Sequence, residues 1–209
     1  MNAEMERTWN HLFARAQMES LSWYQEHDRQ SLAWIEKLIS PRAACIVDIG
    51  GGASTLVGDL VQSGFRNIKV IDIAATALII GKRRLEKNAR RVDWVRANVL
   101  EHAFQKGATD LWHDRAMFHF LTNAQHRRQY VHQMQRAIRL GGYVILATFA
   151  EDGPEKCCNQ PVMKYSASAL AAELGSDFYL QDTLREEHQT PAGVIQPYLY
   201  SLFRYAPLS

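Results

Sequence analysis

Cysteine is scarce in this chain: three in 209 residues, with Cys157 and Cys158 adjacent and Cys45 inside an apolar run. An odd, unspaced set excludes a disulfide framework, offers no C-x-x-C pair for zinc and fits a reducing compartment. Proline (6) and glycine (12) are too few for a collagenous or low-complexity chain. A dominant charge is missing too. Against 24 Lys and Arg stand 22 Asp and Glu, and a net +2 draws neither nucleic acid nor a membrane surface by bulk electrostatics. The longest apolar stretch, near Tyr143 to Ala150, falls far short of the roughly 20 residues a membrane-crossing helix needs. Glu4, Glu6 and Arg7 stand in the first ten residues with no apolar block behind them, so no secretory signal is read and a cytoplasmic location is expected.

What is present is a periodic alternation. Trp9, Leu12, Phe13 and Ala16, then Leu32, Ile35, Leu38 and Ile39, recur at helical spacing on either side of Ser22-Trp23-Tyr24-Gln25. Pro41 ends the second helix. Ala43 to Ile49 reads as a buried strand stopped by Gly50-Gly51-Gly52, and Ser54 or Thr55 caps a helix through Leu56, Val57, Leu60 and Val61 that stops at Gly64. Ile68 to Ile73 is a second strand, Thr76 to Asn88 a helix, Val92 to Val95 a third strand and Asp110 to Asp114 a fourth. Thr122 or Asn123 caps the next helix, Gly141-Gly142 closes it, and Tyr143 to Phe149 is a fifth strand. A short helix from about Ser166 to Leu174 precedes Phe178 to Glu187 and Tyr198 to Tyr205, a hairpin joined through Pro191-Ala192-Gly193. Such alternation demands parallel pairing with right-handed crossovers, hence a doubly wound α/β sheet with helices on both faces. No repeat, linker or composition shift divides the chain. One domain over 1–209 is expected, with a helical segment over 1–40, a ligand-binding half over 41–150, and a loop and hairpin over 151–209.

A glycine turn between strand and helix points to a nucleotide-like ligand. Gly50 and Gly52 match two positions of the dinucleotide fingerprint, while Thr55 fails the third, and no Gly-Lys-Ser/Thr follows to make a P-loop. Asp48, two residues before the first glycine, would set a carboxylate where a pyrophosphate has to lie, and like charges repel. A ligand with a nucleoside, an amino group and a sulfonium but no phosphate is favoured instead, the composition of S-adenosylmethionine. Asp72, 22 residues after Gly50, ends the second strand where a two-acceptor carboxylate serves ribose hydroxyls, as it also does in dehydrogenases. Taken singly, the glycines read equally as a tight turn and Asp48 as a cap on backbone amides; their joint spacing favours a ligand site.

With Trp9, Ser22-Trp23-Tyr24-Gln25, Ile46-Val47-Asp48-Ile49-Gly50-Gly51-Gly52-Ala53-Ser54, Ile71-Asp72-Ile73, Trp112-His113-Asp114-Arg115-Ala116, Phe118-His119-Phe120-Leu121 and Leu140-Gly141-Gly142, the chain resembles a class I S-adenosylmethionine-dependent methyltransferase from Trp9 to Tyr205. It is most similar to small bacterial enzymes of the thiopurine, tellurite-resistance and translation-factor lysine methyltransferase group. The resemblance implies a Rossmann-like, seven-stranded, mostly parallel sheet with its last strand antiparallel, under an N-terminal helical lid. It implies that Asp48 and the Gly50, Gly51 and Gly52 backbone surround the methionine part, with Ser54 at the turn. Asp72 and Ile73 would hold the ribose, and Asn98 and Val99, ending the third strand, would frame adenine. Asn98 departs from the usual Asp, and Ser54 stands where a third glycine is common. Trp23 and Gln25 would belong to the lid, the indole covering the sulfonium or serving as a staple between helices. Asp114 and Arg115 would touch the cofactor or pair with each other.

Methyl transfer from a sulfonium is an in-line displacement that needs alignment and exclusion of water rather than a nucleophilic side chain. The chain has no G-x-S-x-G elbow, no H-E-x-x-H motif and no paired carboxylates at catalytic spacing. If a base is needed, His119 is the best placed candidate, its alternative being a packing residue between Phe118 and Phe120; Asp114, Arg115 and His188 are further candidates. Cys157-Cys158 lies in a loop over the acceptor side, as soft ligands or as ordinary loop residues. Six of ten residues from Lys82 to Arg91 are basic, but no aromatic residue interleaves with them, so a solvated helix face is read there and not an RNA site. The expected acceptor is a small molecule methylated at sulfur, nitrogen or a heavier chalcogen. A protein lysine acceptor, a nicotinamide oxidoreductase and a non-catalytic cofactor-binding module are the alternatives. No metal site is expected.

Overall fold

The computed structural model describes residues 3–207. Helix α1 (Ala3–Arg15) and α2 (Arg29–Leu38) flank a 3-10 turn at Met18–Ser20. Five parallel strands follow: β1 (Cys45–Ile49), β2 (Asn67–Asp72), β3 (Val92–Arg96), β4 (Thr109–Arg115) and β5 (Ile138–Ala150). Between them lie α3 (Leu56–Gln62), α4 (Ala75–Leu85) with a 3-10 extension over Glu86–Arg91, and α5 (Ala124–Ala137). The chain then forms β6 (Lys156–Cys157), β7 (Gln160–Pro161), β8 (Lys164–Tyr165), α6 (Ala167–Leu174), β9 (Phe178–Gln189) and β10 (Ile195–Tyr205). The main sheet runs β3-β2-β1-β4-β5-β10-β9, with short β8 paired to β5 beside this path. β10 is antiparallel to both neighbours, so the expected mostly parallel seven-strand path with an antiparallel last strand is the observed one.

Side-chain alternation splits the core into two layers. Ile46, Leu111, Ile145 and Ala147 pack with Trp34, Ile35, Leu56, Leu60 and Leu78 on one face. Val47, Ile49, Trp112, Val144 and Leu146 pack with Tyr130, Met134, Leu170 and Leu174 on the other. The period of two therefore sends Asp48 and His113 toward the α2 and α3 side, and sends Asp114 toward Tyr130. The order reverses between β1 and β4, and in open sheets of this kind the crevice beyond that switch point is where ligands sit.

Several sequence boundaries shift. Gly141-Gly142 does not close α5; the helix stops at Ala137 and the glycines lie inside β5. Pairing decides this, because Ile138 stands opposite Thr109 before a bulge brings Tyr143 opposite Leu111. The helix expected to reach Asn88 leaves α-geometry at Leu85 and tightens into the 3-10 extension. Residues 151–165 hold a small β6–β7 hairpin, whose two linking residues, Cys158 (φ 46) and Asn159 (φ 61), are both left-handed as a two-residue primed turn requires. Asn123, not Thr122, caps α5 by accepting from the Gln125 amide.

α4 lacks a capping side chain of its own. Asn10 of α1 supplies one, its Oδ1 accepting from the Thr76 amide at 3.0 Å and the Thr76 hydroxyl at 2.9 Å. The N-terminal helices are thereby tied to the end of β2.

Candidate active site

β1 is buried to its last residue and must turn sharply into α3. Gly50 does so at φ +69, a conformation a side chain disfavours, and its amide donates to the Ile71 carbonyl at 2.8 Å. Gly52 is fixed by space: a Cβ there would lie 2.7 Å from Asp72 Oδ2 and 2.8 Å from Ala77 Cβ. A Cβ on Gly51 would run into the Asp48 carboxylate. Ser54 Oγ accepts from the Leu56 amide at 3.1 Å, so Ser54 holds the turn, and the Thr55 side chain makes no cap bond. Asp72 is pinned by the Gly52 amide at 3.0 Å and the Ala74 amide at 2.8 Å. Burial raises its pKa to about 6 even though both amides favour the carboxylate.

A cavity opens beyond these strand ends. Ile49, Gly50, Ala53, Ser54, Thr55, Ile71, Asp72, Ile73, Ala97 and Val99 line its floor and one side. Trp9, Phe13, Met18, Trp23, Tyr24 and Gln25 from the N-terminal segment cover it, and Asp28, Arg115, Ala116, Met117 and Phe120 complete its lining. The cover is an aromatic cluster: Trp9 meets Phe120 edge-on at 4.9 Å and Trp23 at 6.0 Å, and Phe13 meets Trp23 at 6.3 Å.

Arg115 is the buried cation of the site. Its Nε donates to Tyr200 Oη at 2.9 Å, its Nη1 to the Trp23 carbonyl at 2.9 Å, and its guanidinium lies 4.6 Å over the Tyr198 ring. Burial opposes the charge, and Tyr200, Tyr198, Asp28 and Glu186 outweigh it and hold the pKa above the usual arginine value. Nη2 has no hydrogen-bond partner among the described residues, with Glu186 Oε2 at 3.9 Å. Gln25 donates to Glu186 Oε1 at 3.0 Å, and His188 Nε2 meets the Ser22 carbonyl at 2.7 Å, so that nitrogen carries the hydrogen. Burial, then Arg115, lowers the His188 pKa and keeps the ring neutral.

Several expected residues lie elsewhere. Asp48 is not among the lining residues; it is 1% exposed, with Oδ1 2.7 Å from His113 Nδ1. Its charge meets an imidazole beneath the turn, so the argument that this carboxylate repels a pyrophosphate directly loses its geometry. Gly51 and Gly52 lie behind the lining, shaping the turn. Asp114 faces the opposite layer, accepting from the Met117 and Phe118 amides and from Tyr130 Oη at 2.6 Å; burial raises its pKa to about 6. It pairs with neither Arg115 nor the cavity. Asn98 turns its Oδ1 to the Leu100 amide and its Nδ2 to Glu101, leaving Ala97 and Val99 to line the cavity.

His119 is a further correction. Its ring is fully buried against Phe120 and Phe149 and is not on the cavity wall. Burial, with Arg115 adding to it, lowers its pKa to about 3, leaving a neutral ring too weakly basic to serve as a general base. Cys157 is buried, with Sγ 3.9 Å from Ser22 Oγ, and its thiol is pushed up by Cys158 and by burial. Sequence reasoning missed Asp28, Ser31 and the link from His113 to Asp48. No spacing announces them, because β1, β4 and the start of α2 meet only in three dimensions.

Residues 46–142 match the family model described as a methyltransferase domain. The chain is 25% identical over 133 residues to EEF1A lysine methyltransferase 2 of Mus musculus, an alignment covering 60% of this chain and 54% of that protein. It thus spans about half the length of that relative. It is 24% identical over 227 residues to the mitochondrial 2-methoxy-6-polyprenyl-1,4-benzoquinol methylase of Caenorhabditis elegans, covering 99% of this chain and 78% of that one. The solved N-methyltransferase NodS of Bradyrhizobium japonicum WM9, in complex with S-adenosylhomocysteine, superposes with a TM-score of 0.74 at 15% identity, over 97% of this chain and 98% of that one. The glycine turn and the cavity beyond it agree with the match of residues 46–142 to a methyltransferase domain.

Proposed function

We propose that this chain is an S-adenosylmethionine-dependent methyltransferase that methylates a small-molecule nitrogen, sulfur or heavier chalcogen acceptor in the covered cavity, with 1–209 acting as one domain. The observation that carries the reading is the cover itself, where Trp9, Phe13, Trp23, Tyr24 and Phe120 line one cavity and Trp9 meets Phe120 edge-on. A lysine on a folded protein needs an open acidic groove, whereas an aromatic enclosure suits a compact acceptor. The residues fit the cofactor: the glycine turn is a cradle that a Cβ would fill, and Asp72 keeps unused lone pairs toward the cavity wall.

When bound, S-adenosylmethionine supplies an electrophilic methyl group on a sulfonium, with a thioether as leaving group. The chain's residues would then have five tasks. Asp72 would accept from the ribose hydroxyls, and Ala97 and Val99 would flank the adenine. Arg115, whose Nη2 has no hydrogen-bond partner among the described residues, would hold the methionine carboxylate. Trp23 would offer an aromatic ring to the sulfonium, and the Trp9, Phe13 and Phe120 cluster would keep water out.

Two measurements test this. S-adenosylhomocysteine is expected to raise the melting temperature and reduced nicotinamide cofactor to leave it unchanged; stabilisation by the nicotinamide alone overturns the reading. Labelled methyl transfer is then offered small thiols and amines beside a mixture of whole proteins. The proposal expects label in the small molecules. Label confined to protein lysines favours the second reading, to which the lysine methyltransferase relative gives support.

A further inference from the structure

A line of hydrogen-bonding groups runs under the cavity. Asp48 Oδ1 lies 2.7 Å from His113 Nδ1, His113 Nε2 lies 2.8 Å from Ser31 Oγ, and Ser31 Oγ lies 2.8 Å from Asp28 Oδ2. All four residues are buried, and Asp28 alone reaches the cavity wall. We propose that Asp28 receives the acceptor's proton during methyl transfer, and that Ser31, His113 and Asp48 are positioning residues that keep its carboxylate aimed. The proton-acceptor role rests on the methyltransferase reading; the line itself rests on geometry.

Proton counting carries the argument. The Ser31 hydroxyl has one hydrogen and two neighbours at 2.8 Å, so one neighbour must donate to it. His113 likewise faces a carboxylate on one nitrogen and the hydroxyl on the other. An imidazolium satisfies every contact at once: Nδ1–H to Asp48, Nε2–H to Ser31, and Ser31 Oγ–H to a charged Asp28. A neutral ring between two carboxylates leaves two lone pairs facing each other somewhere in the line. Burial disfavours the charged ring, and Asp48, then Asp28 and Asp114, outweigh it and raise the His113 pKa. Those three carboxylates come from β1, the start of α2 and β4 itself; Asp28 in turn faces Arg115 at 4.0 Å and Tyr200 Oη at 3.4 Å.

Helix capping explains only part of this arrangement. The Ser31 amide donates to Asp28 Oδ1 at 3.1 Å, an ordinary N-cap bond for α2. Capping calls for neither the imidazole nor a carboxylate on the cavity wall. In the proposed step the X–H proton passes to an Asp28 oxygen and the X–H electron pair stays on X; X gains the methyl group as the donor's S–CH3 bond breaks, its electron pair staying on sulfur, which leaves as a neutral thioether. The proton leaves Asp28 for solvent after the product departs.

The test follows the His113 ring signals by nuclear magnetic resonance through a pH titration of the full chain saturated with S-adenosylhomocysteine. Wild type is compared with Asp28→Asn and Ser31→Ala; Asn caps a helix about as well as Asp, so the first variant keeps its fold. Both variants are expected to lower the His113 midpoint by about one unit or more. An unchanged midpoint in both overturns the coupling. Initial rates with a small aromatic amine and a small aromatic thiol supply the second arm. Asp28→Asn is expected to lose about 100-fold in kcat with S-adenosylhomocysteine affinity unchanged, and Ser31→Ala to move the alkaline limb of the pH profile downward. A wild-type kcat and profile in Asp28→Asn overturns the proton-acceptor role. Failure of the wild type to bind S-adenosylhomocysteine strikes the cofactor reading instead, and the titration then decides the coupling alone.

Discussion

Asp72 carries two burdens that the sequence shows as one. Its place at a strand end, 22 residues past Gly50, marks a ribose carboxylate. The structure adds that the same oxygens anchor the Gly52 and Ala74 amides, so Asp72→Ala strands two buried donors. That variant is expected to lose most S-adenosylhomocysteine affinity and about 1–3 kcal/mol of stability, read by calorimetry and by urea unfolding. The ribose hydroxyls favour the ionised form, and burial raises the free pKa to about 6. Affinity should therefore be flat above about pH 7 and fall as pH drops through 6, in titrations from about pH 8 to 5. Trp23 permits a sharper comparison. If its ring faces the sulfonium, Trp23→Ala costs S-adenosylmethionine about 0.5–2 kcal/mol, roughly 2- to 30-fold, beyond its cost for the uncharged thioether product. Equal losses for both ligands would leave Trp23 as a staple against Trp9 and Phe13. Asp48 shows why a residue can be placed correctly along a strand and given the wrong neighbour. Its position is visible in the chain, while the imidazole that takes its charge comes from β4, 65 residues later.

At the scale of elements, strands and helices follow from the apolar period, and their ends follow from partners the period does not name. β1, β2 and α6 lie within two residues of their sequence reading because Gly50, Asp72 and the Ser166 cap are local signals. The start of β5 is not local. Its glycine pair looks like a helix stop, yet a Cβ on Gly142 would lie 2.7 Å from Ile138 Cγ2 and 3.1 Å from the Asp110 carbonyl, so the residue serves the bulge. Gly142→Ala is expected to cost about 1–3 kcal/mol, measured as a lower urea midpoint with an unchanged slope. Gly52→Ala should act differently. The displaced atoms there include Asp72 Oδ2, so S-adenosylhomocysteine affinity should fall by more than the stability loss accounts for.

Across the whole molecule, the mostly parallel sheet and its antiparallel last strand were legible from the alternation and the resemblance together, while the strand order was not. The resemblance implied a helical lid holding Trp23 and Gln25, but the shares of Phe13, Met18 and Phe120 in the cavity lining were not legible. Trp9 joins that cover to the short turn after β4 through Phe120. Trp9→Ala should leave the sheet cooperative while limited proteolysis cuts faster within residues 3–28, and bound S-adenosylhomocysteine should restore part of the protection.

Asn10 adds a mechanical consequence. Because its amide oxygen finishes the first turn of α4, α1 cannot swing away without leaving the Thr76 amide bare. If a guest enters by displacement of α1, its admission and the fraying of that turn become a single event. Deuterium uptake at Thr76 would then serve as a clock for how often the cavity opens.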